Sequence, residues 1–241
     1  WERVDAFRCY VGGLPVARHW PYEYKAAFSP IDVIAEYTRP ARLKSGGEVV
    51  TKPALTEVEH FDFAEVGTLE AFNTDGLRTL LKTSRIPEMV EKTLRYPGHA
   101  ETMRMLADIG FFGEEPIEVG GVEVRPIDIS AKLLIPAWQL DEGEKDLTVL
   151  RVEFDGFHEG RMIRRRYEML DHFDRETGLT SMARTTGFTC TAMVNAIAEG
   201  LFTEPGLSPP EIVGRNKACY DFIIDYLAAR GIRFEVTEDE L

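Results

Sequence analysis

Short alternating runs and helical periodicities divide the chain into many elements. Alternation of apolar and polar residues predicts strands at Val4–Val11, Ala41–Leu43, Glu48–Lys52, Glu57–Phe63, Thr68–Phe72, Met89–Arg95, Leu147–Phe154, Met162–Phe173 and Ile232–Val236. Helical spacing predicts helices from Ser29-Pro30 to Tyr37, around Leu77–Leu81, from His99 to Gly110, after Pro126, over Thr180–Glu199 and within Ile212–Arg230. Because the strands arrive in hairpins with helices interspersed irregularly, we predict an α+β fold, a mixed, largely antiparallel sheet with helices packed on it, in a single domain over residues 1–241.

Glycine pairs and cysteines add local expectations to this pattern. Gly12-Gly13-Leu14-Pro15 is expected to turn the chain after the first strand. Three widely spaced cysteines, at positions 9, 190 and 219, show neither a pairing pattern nor metal-ligand spacing. We therefore expect small core residues in a reducing, cytoplasmic compartment.

The charge balance excludes some partners. With 28 basic and 41 acidic side chains the formal net charge is −13, which argues against nonspecific binding to nucleic acid or to an anionic membrane surface. The locally basic stretch Arg161–Arg166 is expected to be a solvated strand face. No apolar run is long enough to span a membrane, and no signal peptide is evident. Since the chain starts at Trp1, we interpret it as a fragment that lacks an N-terminal portion.

Common catalytic motifs are missing from the sequence. It contains no G-x-G-x-x-G, no G-x-x-x-x-G-K-[ST], no G-x-S-x-G and no histidine spacing typical of a metal site, so no metal is predicted. Polar residues at predicted element ends remain as candidates: Asn73, Asp75, Arg78, Arg95, Tyr96, His99, Arg184, Thr185 and Thr186. Arginine suits a substrate carboxylate because its planar fork donates two parallel hydrogen bonds. Asp75 or His99 is a candidate general base, although Asp75 is equally explained as a helix cap.

Six motifs occur in an order that resembles one known family. They are Gly12–Pro15, Phe28–Pro30, Ala71–Arg78 (AFNTDGLR), Thr93–His99 (TLRYPGH), Met182–Gly187 (MARTTG) and Ser208–Glu211 (SPPE). Together they resemble the C-terminal catalytic domain of the saccharopine dehydrogenase family, most closely its lysine 6-dehydrogenase-like branch, over Val4 to about Gly214. The resemblance implies that a Rossmann domain binding NAD or NADP is absent from this fragment, and that the present domain binds the substrate and forms a homodimer.

The resemblance also implies roles for individual residues in hydride transfer between a nicotinamide and an amino-acid amine. Arg95 and Arg184 would hold the substrate carboxylate. The other implied substrate residues are Asn73, Asp75, Arg78, Tyr96 and Thr185, and the residues implied near the cofactor are Gly12, Gly13, Thr186 and Gly187. Asp75 is the preferred base and His99 the second choice.

The substrate and even catalysis itself stay open at this point. Thr74 and Gly76 depart from the Asn-Arg-Asp-Ser form associated with saccharopine-using members, and the missing arginine favours lysine, a smaller substrate. One alternative is saccharopine or a carboxylated polyamine. Another is a noncatalytic dimerisation or ligand-binding domain. The fragment alone is predicted to be inactive, because the nicotinamide must be held in place by the missing domain.

Overall fold

Residues 1–26 and 29–241 are described by the structure, a computed structural model. The strands of this part of the chain are β1 Arg3–Pro15, β2 Ala41–Ser45, β3 Glu48–Lys52, β4 Glu59–Phe63, β5 Gly67–Asn73, β6 Glu88–Arg95, β7 Ile117–Val119, β8 Val122–Val124, β9 Asp146–His158, β10 Arg161–His172 and β11 Glu235–Glu240. Its helices are α1 Pro30–Thr38, α2 Leu80–Thr83, α3 His99–Ile109, α4 Pro126–Trp138, α5 Ser181–Ala198, α6 Pro210–Val213 and α7 Lys217–Ala228. Phe28, from the second motif, lies outside the described residues.

A nine-stranded sheet organises the described residues. Its order is β11-β10-β9-β1-β6-β2-β3, while β5 pairs with the far end of β6 and β4 pairs with β5. Strands β1 and β6 run parallel, with Cys9 beside Glu91 and Val11 beside Thr93, whereas the other strand pairs of this sheet are antiparallel. The predicted mixed, largely antiparallel sheet is therefore confirmed.

The turn predicted at Gly12-Gly13 is wrong, because β1 continues through both glycines to Pro15. A Cβ atom on Gly12 would lie 2.6 Å from the carbonyl oxygen of Leu94, and one on Gly13 would lie 2.7 Å from the Sδ atom of Met182. Both distances are shorter than a carbon atom tolerates. The glycines thus permit close packing of β6 and α5 against β1, and they do not serve to reverse the chain.

The helices pack on one face of the sheet, which we call the helical face. Alternation places Cys9, Val11 and Gly13 of β1 on this face. Helices α1, α3 and α4 form one group there around Phe72 of β5. Helices α5 and α7 form a second group around Met169 of β10. Both helix groups therefore lie on the helical face, one near each edge of the sheet, with β1 and β6 between them.

The opposite face is covered by the β4–β5 hairpin and by ion pairs. The ring of Phe61 lies 4.7 Å from that of Tyr10. Beyond this contact, Arg164 pairs with Asp155 at 2.7 Å, and Arg166 pairs with Glu153 at 2.9 Å. The basic stretch predicted to be a solvated strand face is instead matched by carboxylates of the neighbouring strand.

The three cysteines differ in their exposure. Cys219 is buried and Cys9 is half-buried, but Cys190 is exposed on α5, so the expectation of a core position is wrong for that residue. No helix of the described residues is long and apolar enough to cross a membrane.

Candidate functional site

A strip of β1 and β6 lies between the two helix groups. We define the central strip as Cys9, Val11 and Gly13 of β1 together with Glu91, Thr93 and Arg95 of β6, all on the helical face. The three β1 residues are only half-buried although their strand lies in the middle of the sheet. The β1 side of the strip is therefore partly exposed, beside the carboxyl ends of the two parallel strands, whereas Glu91, Thr93 and Arg95 are buried.

Arg95, at the end of β6, is buried and incompletely hydrogen bonded. Its Nη1 donates to the carbonyl of Leu94 at 2.9 Å, and its guanidinium lies 4.3 Å from the centre of the Tyr24 ring. Nη2 makes only long contacts, 3.4 Å to the Tyr24 hydroxyl and 3.5 Å to Glu36. Nε is buried and has no partner among the described residues. On this edge of the guanidinium, Nε therefore lacks an acceptor among the described residues and Nη2 has only distant ones.

His99, at the start of α3, is enclosed by aromatic rings. Its Nδ1 donates to the carbonyl of Tyr22 at 3.0 Å, so the neutral Nε2 accepts from the Tyr37 hydroxyl at 2.7 Å. Burial and then the nearby Arg95 charge lower the pKa of His99 to about 3. The imidazole is therefore neutral with both nitrogens occupied, which argues against the base role predicted as second choice.

Asp75 is enclosed by arginines. Its carboxylate accepts from Nε and Nη2 of Arg42 at 2.9 and 2.8 Å and from Arg78 at 3.3 Å. Burial alone would raise the pKa of Asp75, but the hydrogen bonds from Arg42 outweigh it and lower that pKa below its ordinary value. A carboxylate held ionised in this way is a weak base. Its geometry fits the anchoring of Arg42 and Arg78 better than proton transfer.

Glu91, in the middle of β6, was not singled out in the sequence. Its Oε2 accepts from the Thr74 hydroxyl at 2.8 Å and from the Gly76 amide at 2.9 Å. Burial raises the pKa of Glu91 to about 7. The signal for it was present: within the alternating pattern of β6, a glutamate occupies the same face as Met89 and Thr93, where an apolar residue is expected.

Glu36 of α1 is the second site residue that the sequence reasoning missed. Its carboxylate is half-buried and lies 3.5 Å from Arg95. Burial raises its pKa, against the opposing charge of Arg95. No pattern in the sequence links α1 to the end of β6.

Two of the predicted residues, Asn73 and Tyr96, lie on the face of the sheet opposite the helical face. The Asn73 amide nitrogen donates to Thr56 and Glu57, and the Tyr96 hydroxyl donates to the carbonyl of Pro15. Strand alternation separates Tyr96 from Arg95, its neighbour in sequence, whereas Asp75 lies beyond the end of β5, where the chain has left the strand that carries Asn73. Gly12 belongs with them, since its missing Cβ would point at Leu94.

The predicted residues of α5 lie on the helical face, across the central strip from α1 and α3. Arg184 donates to Asp171 at 3.2 Å, to Asp174 at 3.1 Å and to the carbonyl of Arg230 at 2.8 Å. These contacts use the guanidinium to fasten α5 to β10 and to the chain after α7. The Thr185 hydroxyl donates back to Ser181 within the helix. Thr186 is exposed and Gly187 half-buried on the same helix.

A mixed sheet with helices on one face and a polar cluster beside the central strip defines an α+β domain. The sequence profile described as "Saccharopine dehydrogenase C-terminal domain" matches residues 2–232. The chain belongs to this family, which confirms the resemblance seen in its motifs.

Individual relatives match part of the chain. It is 32% identical over 128 residues to "Saccharopine dehydrogenase [NADP(+), L-glutamate-forming]" of Schizosaccharomyces pombe, covering 53% of this chain and 27% of the relative. It is 26% identical over 133 residues to the mitochondrial "Alpha-aminoadipic semialdehyde synthase" of Mus musculus, covering 52% of this chain and 14% of the relative. The chain thus spans about a quarter or less of the length of these relatives.

A solved structure supports the fold. Apo histidine-tagged saccharopine dehydrogenase (L-Glu forming) from Saccharomyces cerevisiae superposes with a TM-score of 0.77 at 19% sequence identity, covering 98% of this chain and 67% of that one. At this identity the similarity concerns the fold alone. It confirms that the sheet and helices described above form a known arrangement.

Proposed function

We propose that this chain is the substrate-binding domain of an NAD(P)-dependent oxidoreductase that acts on the CH–NH or CH–NH2 group of an amino acid, with lysine as the substrate. The observation that carries this proposal is the buried Arg95 with its unused Nε at the central strip. Leaving a buried donor without a partner costs about 1–3 kcal/mol, a cost that a bound carboxylate would remove. The planar Nε–Nη2 edge matches the two oxygens of an amino-acid carboxylate.

The central strip also fits the reactive end of a nicotinamide coenzyme, which supplies the two-electron oxidant when bound. Val11 and Gly13 are half-buried in the middle of the sheet, and Met182 of α5 lies beside Gly13 at the edge of this strip. The chain lacks the glycine-rich motif that cradles a pyrophosphate, so its own residues would contact the coenzyme only near the substrate. Homodimer formation and a cytoplasmic location are retained as proposals from the family resemblance.

Thr74 supports a small substrate with one carboxylate. This side chain is buried, and its hydroxyl contacts both Glu91 and Thr93 at 2.8 Å. A short residue here adds no cation to the cluster, which favours a substrate with a single carboxylate. Saccharopine is the second candidate, since two of the similar proteins carry its name.

Spectrophotometry of the reduced nicotinamide tests the proposal. The full-length protein that carries this chain is offered lysine, saccharopine and other diamino acids, each with NAD and with NADP. We expect turnover with lysine. Arg95→Lys keeps the charge but removes the fork, and it should raise KM by about 10²-fold, as expected for a lost charged hydrogen-bond pair of about 2–3 kcal/mol. Arg104→Lys, on the exposed side of α3, is the matched control and should leave KM unchanged.

Other outcomes would change the conclusion. Turnover with saccharopine alone would replace lysine by the second candidate. Equal KM values for Arg95→Lys and the parent would remove Arg95 from the site. A folded protein that oxidises none of these amines would contradict the proposed function and favour a noncatalytic binding domain.

A further inference from the structure

Seven carboxylates are buried in the described part of the chain, and they can be compared by what their oxygens contact. Six have a hydrogen-bond or ion-pair partner on each oxygen: Glu70, Asp75, Asp146, Glu153, Asp155 and Asp171. Glu70 and Asp146 accept backbone amides at the starts of α3 and α5, and the other four contact arginines. Glu91 is the exception.

Glu91 uses only one of its two oxygens. Both of its hydrogen bonds, from Thr74 and from Gly76, reach Oε2. Among the described residues no donor reaches Oε1, and no lysine or arginine lies within 4.0 Å of the carboxylate. Oε1 is not among the fully buried polar atoms that lack a partner. It therefore retains contact with solvent. A buried carboxylate without a cation is costly, a cost that Glu91 can relieve by taking up a proton or by pairing with a cation from outside the chain.

The hydrogen bonds fix how the carboxylate is held. The Thr74 hydroxyl donates a hydrogen bond to Glu91. Because it has only one hydrogen, it must accept the hydrogen bond from the Thr93 hydroxyl, 2.8 Å away. Thr93 lies between Glu91 and Arg95 on the same face of β6. This relay occupies the Oε2 side of the carboxylate and keeps Oε1 available on the central strip.

We infer that Glu91 binds the substrate's amine nitrogen and accepts its proton, while Arg95 holds the carboxylate of the same molecule. This inference rests on the proposed function. One N–H bond of the substrate ammonium breaks, its electron pair stays on nitrogen, and the proton forms an O–H bond with Oε1 of Glu91. The neutral amine then has the lone pair needed to stabilise the iminium formed when the neighbouring carbon is oxidised by the nicotinamide coenzyme.

The electrostatics of the strip agree with this role. Burial raises the pKa of Glu91 to about 7, and the charges of Glu36 and Asp75 act in the same direction, against the hydrogen bonds from Thr74 and Gly76. This pKa is close to the value at which a general base is most effective near neutral pH. The adjacent Cys9 is a poor alternative, because burial and the Glu91 charge raise the pKa of its thiol to about 12. Asp75 and His99 are poor bases for the opposite reason, because their pKa values are lowered.

The test compares Glu91→Gln with Glu88→Gln in the full-length protein. The glutamine keeps an oxygen for Thr74 and Gly76 but cannot take a proton. We expect kcat for amine oxidation to fall by about 10²-fold or more, and the acid limb of the kcat/KM profile near pH 7 to disappear. Glu88 is exposed at the start of the same strand, and its variant should keep both the rate and the limb. A Glu91→Gln protein that retains the limb and loses less than about threefold in kcat overturns the inference.

A binding measurement separates this inference from the proposed function. If the parent oxidises no amine, the proposed function fails, and calorimetric titration with L-lysine decides the role of Glu91. Amine binding by an ionised Glu91 should be about tenfold weaker at pH 6 than at pH 8, and Glu91→Gln should lose this pH dependence. Lysine binding that is absent in the parent, or unchanged in the variant, overturns the inference.

Discussion

Replacing Glu91 by glutamine should stabilise this protein in a pH-dependent manner. In the unfolded chain the carboxyl titrates near its ordinary pKa of 4.5, whereas burial raises the pKa in the folded protein to about 7. Between these values the folded state keeps a proton that the unfolded state releases, so stability falls as pH rises. Each tenfold change in an acid constant corresponds to about 1.4 kcal/mol, which gives a loss of about 3 kcal/mol that is complete above pH 7.

Urea and thermal denaturation at about pH 4 and pH 8 measure this effect. Glutamine cannot ionise, so Glu91→Gln should be more stable than the parent by about 3 kcal/mol at pH 8 and nearly equal to it at pH 4. For a domain of this size that gain corresponds to a rise in Tm of roughly 6–12 °C at pH 8. Glu88→Gln, which changes an exposed carboxylate, should show a difference that is independent of pH. A Glu91→Gln protein that is less stable at pH 8, or one whose gain is the same at both pH values, would refute the reasoning.

Two further predictions concern packing. Gly12→Ala should destabilise the fold by about 2 kcal/mol or more because its methyl group would lie 2.6 Å from a backbone oxygen. The methyl group of Gly187→Ala, inside α5, would meet no atom within 4 Å. This second variant should therefore be more stable by about 0.5–1 kcal/mol. Urea denaturation of both variants checks the pair, and equal effects would contradict it. Arg184→Ala should cost about 3–5 kcal/mol by leaving the buried Asp171 without its cation. A variant that loses activity at full stability would instead support the predicted substrate role of Arg184.

Local signals in the sequence predicted many elements correctly. Gly46-Gly47 marks a hairpin turn because both residues have positive φ angles, of 59° and 86°. The Thr180 side chain accepts the Ala183 amide at the start of α5. These features depend on neighbouring residues, so they can be predicted without knowing which strands pair.

The central strip could not be predicted in the same way. Gly12 and Gly13 resemble a turn in sequence, and only the approach of Leu94 and Met182 shows that they belong to a strand. Asn73 and Asp75 belong to one motif, yet the Asn73 side chain contacts Glu57 and the Asp75 side chain contacts Arg42. Such contacts depend on strand order and on the packing of distant segments, which no local pattern records.

The sequence by itself therefore determined the class of fold and the family, and it identified Arg95 as a candidate site residue. The tertiary structure decided which carboxylates face a cation and which does not. Asp75 differs from Glu91 because β2 brings Arg42 to the first and no arginine or lysine of the described residues to the second. Charge and burial are properties of a folded environment, so the chemistry available to a side chain follows from its neighbours in space.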